Sequence, residues 1–243
     1  FIHNYLSGLT LAQRDASWTV FINNNYEERG SRVRFVIELS LNYKNRGIID
    51  PNSIKAIAKT LFWFFGTTNR ELRDYASKAA ILLFKENISL LKSVMEDFES
   101  VNDPYITQRI YSVAFGAAVR NSDIQVLSEL STYINKEVFL DQRVLPDILV
   151  RDYGRLTVEY CRSLGIELPF SGSVSPPYKS AMLPDAPTDE RINQYSYEIS
   201  TDKEGYTGID YILSSMVTEH SSRGQMYGDF GRYTFGAAVS HWK

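Results

Sequence analysis

Cysteine is almost missing from this chain, where Cys161 stands alone among 243 residues. A lone thiol rules out a disulfide framework and suits a reducing, cytoplasmic compartment. It sits in a helix-like run and reads as a buried core thiol, not a nucleophile. Histidine is nearly as scarce. His3, His220 and His241 lie far apart, with no cysteine pair and no His-Glu-x-x-His beside them. A catalytic zinc needs about three protein ligands in one place, so no metal site is expected. No apolar run approaches the roughly 18 residues of a membrane span, and no signal peptide is visible. Neither sign of charge is in large surplus, with 26 Lys+Arg against 29 Asp+Glu. The deficit of three falls in residues 169–243, which hold six basic and nine acidic groups. No stretch forms a basic stripe, which argues against direct nucleic-acid binding.

Catalytic signatures are missing too. The chain has no Gly-x-x-x-x-Gly-Lys-Ser/Thr, no Gly-x-Gly-x-x-Gly and no Gly-x-Ser-x-Gly. Asp229-Phe230-Gly231 matches the kinase metal-binding tripeptide, but no glycine-rich loop, Val-Ala-Ile-Lys strand or His-Arg-Asp loop precedes it. The tripeptide reads as a turn that buries Phe230. Asp189-Glu190 lies in a Pro-rich stretch and reads as solvated surface. Catalysis and a bound cofactor are therefore not expected in this segment.

What is present is helical periodicity. The 44% hydrophobic and 13% aromatic content suits a packed protein. Asp50-Pro51 is a helix start, an N-cap followed by proline in the first turn. Ile54, Ile57, Ala58, Leu61, Phe62 and Phe65 then fall on one face, and Gly66 ends the run. Thr68-Asn69-Arg70-Glu71 has the pattern of a capping box. Leu72, Ala76, Ala79, Ala80, Leu83 and Phe84 form the stripe behind it. Ile88, Leu91, Met95 and Phe98 suggest a shorter helix. Asp103-Pro104 repeats the start signal, ahead of Ile106, Ile110, Val113, Ala114 and Ala117. Ser122-Asp123 opens a helix with Leu127, Leu130 and Ile134 inward. The last helix is expected from about Leu145 to Leu164, with Leu149, Tyr153, Leu156 and Tyr160 inward and Gly165 as its stop. Two weaker helices, Leu11–Ile22 and Val33–Leu41, flank a polar turn at Asn23–Ser31.

Eight helices joined by short turns predict an all-α fold, either a bundle or a stack of hairpins. A faint repeat favours a HEAT/armadillo-like solenoid. Arg14-Asp15, Arg73-Asp74, Arg109 and Arg151-Asp152 recur in similar settings. Arg73 to Arg109 is 36 residues and Arg109 to Arg151 is 42, close to the roughly 40–47 of such repeats. Asp on one helix can accept a bidentate bond from Arg on the next, which would fix the stacking register. Ala16, Ala76, Ala79, Ala114, Gly116 and Gly154 would let helices approach closely.

After Gly165 the texture changes. Pro169, Pro176, Pro177, Pro184 and Pro187 interrupt any helix, yet the segment is rich in tyrosine. The expected organisation is a helical-repeat region over 1–164 and, over 165–243, an irregular aromatic-rich strap packed on it, with a short helix near Ile209–Val217. Tyr178, Arg223, Tyr227, Phe230, Arg232 and Tyr233 have the composition of a protein-binding hot spot. The plainer alternative is that these aromatics pack the strap onto the helices.

Three stretches carry a family resemblance. They are Trp63-Phe64-Phe65-Gly66-Thr67-Thr68-Asn69-Arg70-Glu71-Leu72-Arg73-Asp74-Tyr75-Ala76-Ser77-Lys78-Ala79, then Val101 to Arg109 continuing through Tyr111-Ser112-Val113-Ala114-Phe115-Gly116, and Gly228-Asp229-Phe230-Gly231-Arg232-Tyr233. Together, over about residues 10–235, they resemble the C-terminal helical-repeat region of bacterial antiviral STAND NTPases of the Avs family. The resemblance implies a sensor that binds a phage protein such as the large terminase subunit or the portal. Binding would trigger oligomerisation of the parent and switch on an N-terminal effector. It implies that the nucleotide site and effector lie outside this segment. An opening at Phe1-Ile2-His3, without methionine and inside an apolar stretch, agrees with a segment taken from a larger polypeptide. The rival expectations are a HEAT-like structural scaffold for protein assembly and an enzyme with an unrecognised site.

Overall fold

The computed structural model describes residues 1–43, 50–140, 146–168 and 174–178, together with Thr188, Glu190, Gly228 and Tyr233. The chain divides into two compact units, Phe1–Met182 and Leu183–Lys243. Nearly all the described residues belong to the first unit, which thus extends well past residue 164. The helix expected near Ile209–Val217 lies outside the described residues, as do Asp229, His220 and His241.

The described residues are helical and contain no strand. The helices are α1 (Ile2–Ser7), α2 (Leu11–Arg14), α3 (Val20–Tyr26), α4 (Arg32–Leu41), α5 (Pro51–Phe64), α6 (Arg70–Glu86), α7 (Leu91–Glu96), α8 (Pro104–Ala118), α9 (Ile124–Asn135) and α10 (Ile148–Ser163). A π-helical turn, Asp15–Thr19, joins α2 to α3. A second, Lys136–Leu140, extends α9.

Side-chain caps fix most of the starts. Thr10, Ser31, Asp50, Asn69, Asp103, Asp123 and Asp147 each accept a backbone N–H from the first turn of their helix. Such a cap contributes about 1 kcal/mol. Both Asp-Pro signals behave as read, with proline in the first turn of α5 and of α8. The capping box does not. Asn69, not Thr68, caps α6, and the Glu71 carboxylate instead accepts the Tyr26 hydroxyl at 3.1 Å. The reciprocal box belongs to Thr10 and Gln13, where both bonds form.

Helices pack in an alternating order. α4 lies against α6, α6 against α8, and α8 against α10, while α5 touches α7 and α7 touches α9. Close hairpin contacts join α5 to α6 and α9 to α10. The apolar stripes read for α6, α8 and α9 are buried throughout. In α5, Ile57 is only half-buried, while Ile54, Ala58, Leu61, Phe62 and Phe65 are buried. An aromatic cluster anchors the interior. Phe62 meets Phe65, Phe84 and Phe98 at 5.3, 5.9 and 5.4 Å between ring centroids, and Trp63 meets Phe98 at 5.1 Å. Tilted and edge-on pairs of this kind add stability beyond their buried area.

α10 departs from the sequence pattern. Its buried residues are Val150, Gly154, Thr157, Val158 and Cys161, while Leu149 is 45% exposed and Tyr153, Leu156 and Tyr160 are half-buried. The inward face is the one with small side chains. A Cβ on Gly154 would touch Phe139 at 3.4 Å and Ile134 and Val138 at 3.5 Å. Close approach therefore selected the narrow face over the bulky one.

Past α10, Ile166, Leu168 and Val174 are buried and Tyr178 packs against the core. This part of the Pro-rich segment belongs to the first unit.

Candidate protein-binding face

Arginine and tyrosine side chains meet on the N-terminal halves of α6, α8 and α10. Pro104 starts α8 and sets Tyr105 on its first turn, 45% exposed. Two guanidiniums lie over the Tyr105 ring, Arg73 of α6 at 5.0 Å and Arg109 of its own helix at 5.9 Å from the centroid. At partly exposed sites such cation–π contacts are worth about 0.5–1 kcal/mol.

Arg109 also crosses to α6. Its Nη1 donates to Asp74 Oδ1 at 3.1 Å, to Ser77 Oγ at 3.0 Å and to the Arg73 carbonyl at 3.4 Å. Arg70 approaches the other Asp74 oxygen at 3.7 Å while remaining largely in solvent. Arg73 is held from behind, its Nη1 donating to the Thr67 carbonyl at 2.6 Å. Gln108 then links α8 to the start of α10 by donating to Asp147 Oδ2 at 2.7 Å. On α10, Arg151 lies over the Tyr178 ring at 5.0 Å, and Arg155 bonds Asp152 and Glu159 at 2.7 and 2.8 Å.

The Arg-Asp ladder read from the sequence is thus realised at one step between described residues, Arg109 to Asp74. The other members do different work. Arg14 is 4% exposed and donates to the carbonyls of Leu6, Leu9 and Asn102, so it ties α2 to the turn before α8 through backbone acceptors. Its partner in sequence, Asp15, accepts a hydroxyl bond from Thr19 within its own helical segment. Arg73 bonds a carbonyl and a ring, and Asp152 takes its cation from Arg155 one turn on. The correction has one physical basis. A guanidinium carries five donors and accepts nothing, so carbonyls at helix ends serve it as well as carboxylates do.

The tail candidates divide. Tyr178 donates its hydroxyl to the Val174 carbonyl at 3.0 Å and lies 6.0 Å from the Phe139 ring, so its ring is packed and not presented. Tyr233 is 65% exposed. Arg223, Tyr227, Phe230 and Arg232 lie outside the described residues. Sequence reading missed Tyr105 and Gln108. The signal for Tyr105 was its place directly after an Asp-Pro helix start, where a side chain projects beside the preceding turn.

Other groups are accounted for by packing. His3 accepts from the Trp63 indole N–H at 3.2 Å, and burial lowers its pKa, with Lys59 pushing the same way. Cys161 is buried, its thiol raised by burial, with Sγ 3.7 Å from the Leu127 carbonyl. Among the described residues, no three His, Cys, Asp or Glu side chains are grouped to hold a metal ion. No described helix is long and apolar enough to cross a membrane.

No protein-family model matches the chain, and neither a curated protein nor a solved structure matches it significantly.

Proposed function

We propose that the first unit is a HEAT-like helical-repeat solenoid and that the chain is the target-recognition part of an antiviral STAND NTPase of the Avs kind. Its target is a phage protein, of the large terminase or portal type. Binding drives the parent to oligomerise and activates an effector carried elsewhere in it.

The observation that carries this reading is the Arg–Tyr face built by α6, α8 and α10. Arginine and tyrosine dominate protein-binding hot spots, because each offers a large rigid surface together with directed hydrogen bonds. Here both are held in place before any partner arrives, which lowers the ordering cost of binding. The alternation of α4, α6, α8 and α10 supports the repeat reading, since helices two apart in sequence lie side by side in stacked hairpins. The resemblance of residues 63–79 and 101–116 to Avs sensor regions supports the choice of target.

Purified terminase large subunit and portal protein, each titrated into the full chain by biolayer interferometry, test the proposal. A saturable complex with one of them is expected. Failure of both to bind would refute the target assignment.

A second reading, a structural scaffold, is favoured by the exposed apolar side chains Phe1, Ile2, Tyr5 and Phe21 around a pocket of about 270 Å³. It requires that charge reversal on the Arg–Tyr face leave assembly of the parent intact.

A further inference from the structure

Around Tyr105 the cations outnumber the carboxylates free to balance them. Arg73 and Arg109 lie 5.0 and 5.9 Å from the same ring centroid. Arg70, 87% exposed, reaches the Asp74 that Arg109 already holds. The bordering carboxylates are engaged elsewhere. Asp103 is 8% exposed and caps α8. Asp147 caps α10 through Oδ1 and accepts from Gln108 on Oδ2. Arg73 has no carboxylate partner among the described residues, its contacts being the Thr67 carbonyl and the Tyr105 ring.

The two guanidiniums are used on one side only. Arg109 makes all three of its hydrogen bonds through Nη1. Its Nε and Nη2 donate to no described residue and are not buried, so that edge meets solvent. Arg73 likewise spends only Nη1. Its Nη2 is open to solvent, and its Nε is buried with no acceptor. An unpaired buried donor destabilises the free protein, and an incoming acceptor relieves it.

The bare edge specifies what it takes. Neighbouring N–H groups of a guanidinium meet a carboxylate through two parallel bonds, a fit that is both directional and charge-assisted. An exposed tyrosine beside two such edges has the composition of a protein hot spot, which favours a protein carboxylate over a bare phosphate. The preference is local. The chain carries a net charge of −3, so total charge does not draw a polyanion to it.

We propose that the face selects an acidic protein segment, with neighbouring Asp or Glu carboxylates on the Nε–Nη2 edges of Arg73 and Arg109; this rests on the reading that the face receives the target. Tyr105 supplies the apolar contact between them and the segment.

Fluorescence anisotropy of the full chain with labelled oligo-glutamate, oligo-glutamine and oligo-phosphoserine peptides of equal length is the test. Oligo-glutamate is expected to bind saturably and to weaken as salt rises, with oligo-glutamine weaker by about tenfold or more. Arg73→Lys and Arg109→Lys keep the charge and lose the fork. Each should weaken oligo-glutamate about tenfold, the loss of one charge-assisted bond. The two arginines stand on different helices, so a variant that misfolds, seen by circular dichroism, leaves the other to decide. The peptide series on the parent chain needs neither. No binding of oligo-glutamate, equal binding of oligo-glutamine, or unchanged binding in the folded Lys variants would overturn the proposal. So would a much tighter oligo-phosphoserine, which would assign the face to phosphorylated partners. Titration with terminase and portal is read separately. Capture of either without oligo-glutamate binding keeps the face and rejects this chemistry, and the reverse result rejects the target alone.

Discussion

Arg109 of α8 holds Asp74 of α6 at 3.1 Å, and the same guanidinium nitrogen also reaches Ser77 at 3.0 Å on the next turn of α6. Two adjacent helices are thereby pinned in register by a side chain that is 23% exposed. Asp74 is 42% exposed, so solvent screens the ion pair. Much of the worth of Arg109 therefore lies in its hydroxyl and carbonyl bonds.

A double-mutant cycle with Arg109→Ala and Asp74→Ala should give a coupling of about 0.5–1 kcal/mol in urea unfolding, the range of partly exposed pairs. Arg109→Ala alone should cost more than Asp74→Ala alone, because it also leaves Ser77 without its cross-helix donor. Equal losses for the two single variants would contradict this division.

Gly165 follows α10 with φ of +83°, and a Cβ there would meet nothing within 4 Å. The cost of a side chain is then backbone strain alone. Gly165→Ala is expected to lower stability by about 1–2 kcal/mol, the left-handed penalty for an L residue. Gly165→Asn should cost less, since asparagine tolerates that region. Thermal melts of the two variants check the order.

Asp103 caps α8 through the amides of Tyr105 and Ile106 and is 8% exposed. Burial raises its pKa above the ordinary 3.8, partly offset by those amides and by Arg14. Folding therefore favours its protonated form. Its contribution to stability is full below the ordinary value and falls as pH rises through the raised folded value. Asp103→Asn keeps the cap and removes the titration. Relative to the parent, the Asn variant should gain stability as pH rises through that window and then level off. A constant difference between the two at all acidic pH values would contradict the shift.

Much of this fold was legible because caps and stripes are local. Asp-Pro at 50–51 and 103–104 fixed two helix starts, since a capping carboxylate and a proline in the first turn are satisfied without distant partners. The stripes of α6, α8 and α9 followed from spacing for the same reason. α10 misled, because bulk was taken as the mark of the inward face. What faces inward is decided by how near the neighbour lies, and Gly154 against Phe139 shows that α10 lies near. Thr68 and Glu71 misled in a related way, for Glu71 is drawn to the distant Tyr26 hydroxyl. The recurrence of Arg14, Arg73, Arg109 and Arg151 was visible, but their acceptors were not. Arg14 ends on the Asn102 carbonyl, 88 positions away, and spacing carries no information about such a partner.

The central claim is that the face around Tyr105 receives the target, and hydrogen exchange on the complex tests it most directly. The full chain should be measured free and mixed with the terminase or portal protein proposed as its target. Added protection is expected at the N-terminal halves of α6, α8 and α10. In the Tyr105→Ala variant, affinity should fall about tenfold or more, as for a hot-spot aromatic, with the melting temperature changed by no more than a few degrees. Protection confined to other segments, with Tyr105→Ala binding as tightly as the parent, would contradict the account.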